Sequence, residues 1–190
     1  MFRAETGPTF ESRQGEGCKG GREEEFRTLF EAYKDRVFSL AFHFTGDTPL
    51  ALDITQEVFL KVLSGIGEFR GQSQFTTWLY RIAVNVCMDE FRRRRRFVPL
   101  AQATNRHLTS LGRPQEEALV RRQVRQAVQA AVVRLTPKLR FTVILRYVDG
   151  LSYEEIAAAL GCSPSAVAAR LNRSHRILAR QLATLRRSTD

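Results

Sequence analysis

The segment from Phe75 to Arg96 reads FTTWLYRIAVNVCMDEFRRRRR and combines aromatic side chains, an apolar helical stripe and a run of arginines. Aromatic rings can stack on bases that leave a duplex, and guanidinium groups neutralise the phosphates beside such an opening. Adjacent like charges repel one another unless an anion is near, so a merely solubilising charge run is the weaker interpretation. The segment therefore predicts a site that binds and opens a DNA strand.

A second candidate DNA-binding element, a helix-turn-helix, lies downstream between Ser152 and Arg176. Ala157 is small where two helices must cross closely, Gly161 can take the left-handed turn conformation, and Val167 returns to the core. The side of the last helix that faces away from the core can enter a major groove, where arginine reads guanine or binds phosphate. That side, with the serine before the helix, holds Ser163, Ser165, Ala166, Ala169, Arg170, Arg173 and Arg176.

Positive charge is concentrated in the second half of the chain. The net charge is +10, but residues 1–90 contain 10 basic and 14 acidic side chains, whereas residues 91–190 contain 20 and 6. A basic chain is expected to bind a polyanion, either nucleic acid or a membrane surface. The helix patterns favour nucleic acid.

Several classes of protein are not indicated. Cys18, Cys87 and Cys162 have no metal-ligand spacing and are best read as reduced thiols, and His43 falls in an apolar helical pattern that suits the core or its boundary. No apolar run approaches the roughly 18 residues of a membrane span. No phosphate-binding glycine loop or nucleophile with its base stands out. We expect a cytoplasmic protein that makes no direct membrane contact, without cofactor, metal or catalytic residues.

Apolar periodicity of three and four residues recurs through the chain, so the predicted fold is all-α. Predicted caps and breaks are Gly46 after the first helix, Asp47 or Thr48 before the second, Thr136 with Pro137, and the capping box of Ser152 with Glu155. The predicted architecture is two small helical domains joined by a flexible linker, with a helix-turn-helix in the C-terminal one. The segments are a disordered extension (1–22), a first domain (23–97), the linker (98–114) and a second domain (115–190).

Three separated motifs resemble bacterial RNA polymerase sigma factors of the extracytoplasmic-function (ECF) group. They are LALDITQEVFLKVL (50–63), FRGQSQFTTWLYRIAVNVCMDEFRRRRR (69–96) and LTPKLRFTVILRYVDGLSYEEIAAALGCSPSAVAARLNRS (135–174). The resemblance covers residues 23–185. It implies a promoter-opening domain tethered to a domain that reads the minus-thirty-five element, with core RNA polymerase, through its clamp coiled coil and flap, promoter DNA and an anti-sigma factor as partners.

The resemblance also implies site residues. Those matching the clamp-docking helix are Asp53, Gln56, Glu57, Phe59 and Leu60; those matching the minus-ten segment are Arg70, Gly71, Ser73, Gln74, Phe75, Trp78, Tyr80, Arg81, Asn85, Arg92, Arg93, Arg94 and Arg95. A glycine-bearing loop can shape a pocket for a flipped base, which must recover its unstacking energy from stacking and hydrogen bonds. Trp78 can equally be a core residue, so Ser73, Phe75 and Tyr80 are the preferred pocket residues.

The chain departs from the family pattern in its last helix, and two other functions stay open. The family often has Gly-Thr-Val at residues 165–167 and Lys-Ser at 168–169, where this chain has Ser-Ala-Val and Ala-Ala, so the minus-thirty-five sequence that it reads is not fixed. One alternative is an autonomous helix-turn-helix regulator, with residues 23–96 as a ligand or dimerisation domain. The other is a basic RNA-binding or ribosome-associated protein.

Overall fold

A computed structural model describes residues 19–69, 74–97 and 116–186, and these fold entirely into helices, turns and short connections. The seven α-helices of the described residues are α1 (Lys19–Thr45), α2 (Thr48–Gly65), α3 (Phe75–Phe97), α4 (Glu116–Val133), α5 (Pro137–Tyr147), α6 (Tyr153–Leu160) and α7 (Pro164–Arg186). A single 3₁₀ turn, Ile66–Glu68, follows α2. The all-α prediction is confirmed.

Helices α1 to α3 form the first domain. The connection between α1 and α2 is only two residues long, and Gly46 adopts a φ of 72°, which an L side chain rarely takes. Asp47 then caps α2 by accepting a hydrogen bond from the Leu50 backbone N–H at 3.2 Å. The tight turn makes α1 and α2 antiparallel neighbours, and α3 closes the domain against both. Buried residues from all three helices form its core, among them Leu40, Ile54, Val58, Leu79 and Val86.

Helices α4 to α7 form the second domain, which ends in a helix-turn-helix. The predicted capping box is present, because the Ser152 and Glu155 side chains each accept from the other residue's backbone N–H. Gly161 ends α6 with a φ of 60°, and the Cys162 N–H donates to the Ala157 carbonyl at 3.0 Å. Ala157 and Val167 are both buried where α6 and α7 meet. The three residues that predicted the motif therefore occupy their expected places.

The two domains pack against each other in the structure. The rings of Phe44, at the end of α1, and Phe141, in α5, stack at 4.2 Å between centroids and 10° between planes, and both are buried. Helix α6 lies against α3, and α4 lies against α1. One continuous hydrophobic core therefore joins two domains that the sequence divides.

Some predicted boundaries differ from the structure. Helix α1 begins at Lys19, within the extension predicted as disordered. Residues 1–18 and 98–115, a range that includes the whole predicted linker, lie outside the described residues. Gly20 and Gly21 disfavour a helix, which is why composition places the boundary later. Helix α5 ends at Tyr147 rather than Asp149, and Thr136 stands at its N-cap position without a side-chain hydrogen bond.

Candidate polymerase-binding and promoter-binding sites

Helix α2 presents an exposed face that mixes acidic, amide and apolar side chains. Asp53, Gln56, Glu57 and Leu60 follow the helical repeat and are all exposed. Glu57 pairs with Lys61 at 3.5 Å across the surface. Leu60 exposes 64% of its surface, and Leu52 and Leu63 each expose 52%. We call the residues Leu52, Asp53, Gln56, Glu57, Leu60 and Leu63 the α2 face.

The sequence identifies only part of this face. The apolar repeat of α2 places Leu63 in the buried stripe and gives no separate signal for Leu52, although both are exposed. A helical projection of the whole helix places Leu52, Gln56, Leu60 and Leu63 on one side, and this is the signal that could have found them. Grouped leucines that are more than half exposed indicate a surface for another protein.

Phe59, a predicted polymerase-binding residue, is buried in the structure. The structure leaves it only 4% exposed, with its ring 4.8 Å from that of Phe30 and 6.4 Å from that of Phe26. Phe59 lies on the α1 side of α2 and contacts these two rings, whereas the neighbouring Leu60 faces solvent. It therefore anchors α2 to α1, and its part in polymerase binding stays a prediction.

An aromatic cluster marks the start of α3. The ring centroids of Phe69 and Trp78 lie 5.2 Å apart, those of Phe69 and Phe75 lie 5.8 Å apart, and Tyr33 contacts Phe75 at 5.4 Å. Trp78 also packs over Gly65, where an added Cβ would lie 3.3 Å from its Cζ2 atom. Trp78 is half-buried and packs among these side chains, and its place in the pocket for a flipped base stays a prediction.

The loop before this cluster is only partly described. Gln74 is exposed, and its carbonyl accepts a hydrogen bond from the Trp78 N–H at 3.2 Å. The predicted pocket residues Arg70, Gly71 and Ser73 lie outside the described residues. The pocket for a flipped base therefore stays a prediction, built on the described aromatic rings at its edge.

Tyr80 differs from Trp78 and Phe75 of the aromatic cluster because it is buried. It is 3% exposed, and its hydroxyl donates a hydrogen bond to Asp149 Oδ1 of the second domain at 2.9 Å. Burial, with a smaller contribution from the Asp149 charge, raises the pKa of Tyr80 above its ordinary value. Burial also raises the pKa of Asp149 to about 6, against opposing effects from the Tyr80 hydrogen bond and Arg36. The predicted minus-ten residue Tyr80 is thus covered in this arrangement.

The remainder of α3 carries an exposed basic surface. Arg81 and Asn85 are both exposed and lie four residues apart on one side of the helix. Further along, Asp89 pairs with Arg92 at 3.2 Å, and Glu90 pairs with Arg93 and, at 2.9 Å, with Arg94. The Arg95 side chain lies outside the described residues. The three described arginines remain largely exposed beside their acidic partners and can turn toward phosphates.

Sequence reasoning misses the acidic partners of these arginines. Glu90 is buried and forms ion pairs with both Arg93 and Arg94. It precedes the arginine run in the motif of residues 69–96. Its spacing of three and four residues from Arg93 and Arg94 is the signal that could have identified it.

The recognition surface of α7 agrees with the predicted helical wheel. Val167, Leu171 and Ser174 are buried, whereas Ser165, Ala169, Arg173 and Arg176 are exposed. Ser163 caps the helix, with its hydroxyl 3.2 Å from the Ala166 N–H. Arg170 is half-buried, with its Nη1 atom 3.3 Å from Cys162 Sγ, and Ala166 is half-buried as well. With its serine cap and exposed arginines, this surface of α7 has a geometry suited to the major groove of DNA.

Other chemistry has little support in the described residues. In that part of the chain no cluster of three histidine, cysteine or acidic side chains could hold a metal ion. Cys87 is buried, which raises the pKa of its thiol to about 12 and disfavours the reactive thiolate. The helices of the described ranges include none with the length and apolarity that a bilayer crossing requires.

Comparisons with known proteins agree with these surfaces. Residues 29–97 match the family model of Sigma-70 region 2, and residues 125–178 match that of Sigma-70, region 4. The ECF RNA polymerase sigma factor SigW of Bacillus subtilis is 30% identical over 88% of this chain and 94% of its own length. The ECF RNA polymerase sigma-E factor of Escherichia coli K12 is 35% identical over 84% of this chain and 87% of its own.

Solved structures show the same fold. The sigma factor RpoE of Bartonella quintana, crystallised in complex with the anti-sigma factor NepR, superposes with a TM-score of 0.68 at 22% identity, covering 84% of this chain and 98% of that one. CnrH, in complex with the cytosolic domain of CnrY, gives a TM-score of 0.65 at 23% identity, covering 87% and 92%. The family matches, in the order of the two domains, decide against an autonomous regulator and against a ribosome-associated protein. The chain belongs to the ECF RNA polymerase sigma factors, the alternative sigma factors that direct promoter-specific transcription initiation.

Proposed function

We propose that this sigma factor docks on the clamp coiled coil of core RNA polymerase through the α2 face. The observation that carries this proposal is the group of three leucines on α2, each more than half exposed beside acidic and amide side chains. Exposed leucines supply apolar area for a partner, and the carboxylates of Asp53 and Glu57 favour a basic surface opposite them.

The promoter contacts follow from the two basic surfaces. The aromatic cluster and the arginines of α3 bind the minus-ten element and support strand separation, while α7 reads the minus-thirty-five element. Arg173 and Arg176 are exposed on α7, and its first turn carries small side chains that allow close approach to the groove. The protein performs no chemistry of its own in this scheme and acts in the cytoplasm as a subunit of the polymerase.

An anti-sigma factor is the proposed regulator. The similar structures of RpoE and CnrH were solved with NepR and with the cytosolic domain of CnrY, respectively. An inhibitor that covers the α2 face competes directly with polymerase for the exposed leucines. The flap of the polymerase is the proposed second contact, on the α4–α7 domain.

Reconstituted transcription tests the proposal. Run-off transcription with core enzyme is measured on a promoter that depends on its minus-thirty-five element, using wild type, Arg170→Ala, Arg173→Ala and the control Arg180→Ala, which alters an exposed arginine farther along α7. Each lost base contact costs about 1 to 3 kcal/mol, so initiation at limiting holoenzyme falls about fivefold to 150-fold for each true contact and stays near wild type for the control. Undiminished transcription by both test variants contradicts the assignment of α7.

A further inference from the structure

An acidic residue stands at the end of the buried stripe of α3. The stripe contains Leu79, Ala83, Val86 and Cys87, and Glu90 follows the last two at spacings of four and three residues. The Glu90 side chain is only 9% exposed. A buried carboxylate is costly unless it is paired, whereas an apolar side chain at the end of a buried stripe is not. Packing alone therefore gives no reason for an acid at this position.

The carboxylate of Glu90 divides its two oxygens between two arginines. Oε1 accepts a hydrogen bond from Arg94 Nε at 2.9 Å, and Oε2 pairs with Arg93 Nη2 at 2.5 Å. The Arg93 and Arg94 side chains are nevertheless 70% and 53% exposed. A guanidinium has five N–H donors on three nitrogens, and each of these contacts uses one nitrogen. Both arginines can therefore bind a phosphate oxygen while Glu90 holds them.

The neighbouring Asp89 forms a different kind of ion pair. Its contact with Arg92 at 3.2 Å lies on the surface, where the Asp89 and Arg92 side chains are 64% and 63% exposed. Water and salt screen such a pair, so it restrains its arginine only weakly. Two adjacent acids of one helix thus hold their arginines with very different strength.

The arginine run covers two sides of α3. Arg92 shares one side with Arg81 and Asn85, because it lies eleven and seven residues after them. Arg93 and Arg94 lie toward the opposite side, one on each flank of the buried acid. One side of the helix therefore carries a weakly restrained arginine, and the other carries a firmly held pair.

We propose that Glu90 is a positioning residue for promoter binding, which holds Arg93 and Arg94 together as one site for backbone phosphates of the minus-ten DNA. A free arginine samples many rotamers and must be ordered when it binds, and two adjacent guanidinium groups repel each other unless an anion lies between them. Glu90 orders the pair and balances its charge before DNA binds, so less freedom is lost on binding. This inference rests on the proposed function, in which the arginines of α3 bind the minus-ten element.

The charge of Glu90 acts in the opposite direction to its positioning effect. A carboxylate near the DNA backbone repels phosphates, so its removal would tighten DNA binding if charge alone mattered. Positioning predicts weaker DNA binding after the same change. The sign of the change in affinity therefore separates the two roles.

The experiment removes the two acids of α3 one at a time. Glu90→Gln keeps the shape of the side chain without its charge, and Glu90→Leu continues the apolar stripe. Asp89→Asn is the matched control, because it removes the same charge from the exposed ion pair. Each full-length chain is assembled with core RNA polymerase, and fluorescence anisotropy gives the affinity of the holoenzyme for the minus-ten oligonucleotide, a single strand that carries a minus-ten element. Circular dichroism gives the helix content and the Tm of each free chain.

We expect the affinity for the minus-ten oligonucleotide to fall about threefold to tenfold in both Glu90 variants, as for the loss of order in one or two arginines. Asp89→Asn should bind as tightly as wild type or slightly more tightly. The Tm of Glu90→Leu should equal or exceed that of wild type, because an apolar side chain replaces a buried ion pair. The proposal is refuted if both Glu90 variants bind like Asp89→Asn, or if both lose affinity together with helix content and Tm.

The double variant Arg93→Gln with Arg94→Gln tests the proposed function of the two arginines separately. Normal oligonucleotide binding by this variant would remove both arginines from the DNA site and would contradict the proposed function. If the double variant binds weakly, the addition of Glu90→Leu should have no further effect, because Glu90 acts through these arginines. A further loss as large as in the wild-type background would leave the arginines in the DNA site and refute the positioning role of Glu90.

Discussion

Two surfaces of the first domain differ in how the free protein presents them. The α2 face holds leucines and carboxylates in contact with solvent, whereas Tyr80 on α3 lies beneath the second domain. A single sequence resemblance predicts both as binding sites for larger partners. The α2 face is therefore accessible in the docked arrangement of the domains, whereas Tyr80 is accessible only where the domains are apart.

The chemistry of the two surfaces explains the difference. The α2 face has no polar group that needs a partner within the chain, so it can remain exposed until a protein covers its leucines. The interface between the domains has a guanidinium, a carboxylate and a phenol that are paired with one another or with carbonyl groups. Each of these groups has its partner in the docked arrangement and would be hydrated once the domains separate. A partly opened interface would leave some of them with neither a partner nor water.

Leu60→Glu is the variant with the largest expected effect, and it tests whether the α2 face binds core polymerase. A charge in the centre of the exposed leucines should weaken binding to core polymerase by about 30-fold or more, as expected for a central interface residue. Equilibrium competition for core enzyme against a labelled sigma factor measures it. Thr28→Glu introduces the same charge at an exposed position of α1, outside the α2 face, and serves as the control. If both variants bind like wild type, the α2 face is not the docking surface.

Much of this architecture could be predicted from the sequence because local signals agree with the packing. The positions of the helices follow from the caps at Asp47 and Ser152, from the left-handed Gly161 and from the apolar periodicity. Together these local signals predict the all-α fold. The wheel of α7 separates its buried and exposed sides correctly.

What the sequence could not show depends on contacts between distant residues. Tyr80 and Asp149 are 69 positions apart, and Arg140 reaches a carbonyl 96 positions away. No local sequence pattern encodes such pairs. The sequence therefore predicts two domains but not the core that the two domains share. The burial of Phe59 could not be predicted for a related reason, because a phenylalanine near exposed acids can face either side of its helix until α1 packs against it.

Acidity should shift the equilibrium between the covered and uncovered states of α3. Burial raises the pKa of Asp149 to about 6 in the docked arrangement from an ordinary 3.8, and separation of the domains would expose the carboxyl to water. The docked arrangement then binds the proton more readily, so this contribution to docking is complete below pH 3.8 and is lost as the pH rises through about 6. Between about pH 7.5 and about pH 5 the ratio of docked to separated molecules should rise about tenfold.

Scattering or interdomain energy transfer at both pH values measures this shift. Asp149→Asn keeps the acceptor for the Tyr80 hydroxyl but cannot titrate, so its response should be flatter than that of wild type. The other titratable groups at the interface, Tyr33, Arg36 and His43, are unchanged in the variant, and the difference between the two proteins therefore reports Asp149 alone. Equal responses would show that Asp149 does not govern docking.

The smallest expected effect concerns the arginines that stay exposed whether the domains are docked or apart. Arg93→Ala should reduce the slope of log affinity against log salt concentration by about 0.7 if Arg93 contacts one phosphate of a single strand. Anisotropy titrations with the minus-ten oligonucleotide at several salt concentrations provide the slope. Arg27→Ala, an exposed arginine of α1, should leave it unchanged. An unchanged slope in Arg93→Ala would remove this arginine from the DNA site.

The distance between the two domains, before and after polymerase binding, tests the central claim most directly. Labels on cysteines introduced at Ser64 in α2 and Gln123 in α4, both exposed, can be compared in the free chain and in the holoenzyme after Cys18 and Cys162 are replaced by serine. We predict one short distance in the free chain and an increase of tens of Å in the holoenzyme, because the promoter elements lie about 85 Å apart. An equally long distance in the free chain would contradict the docked arrangement.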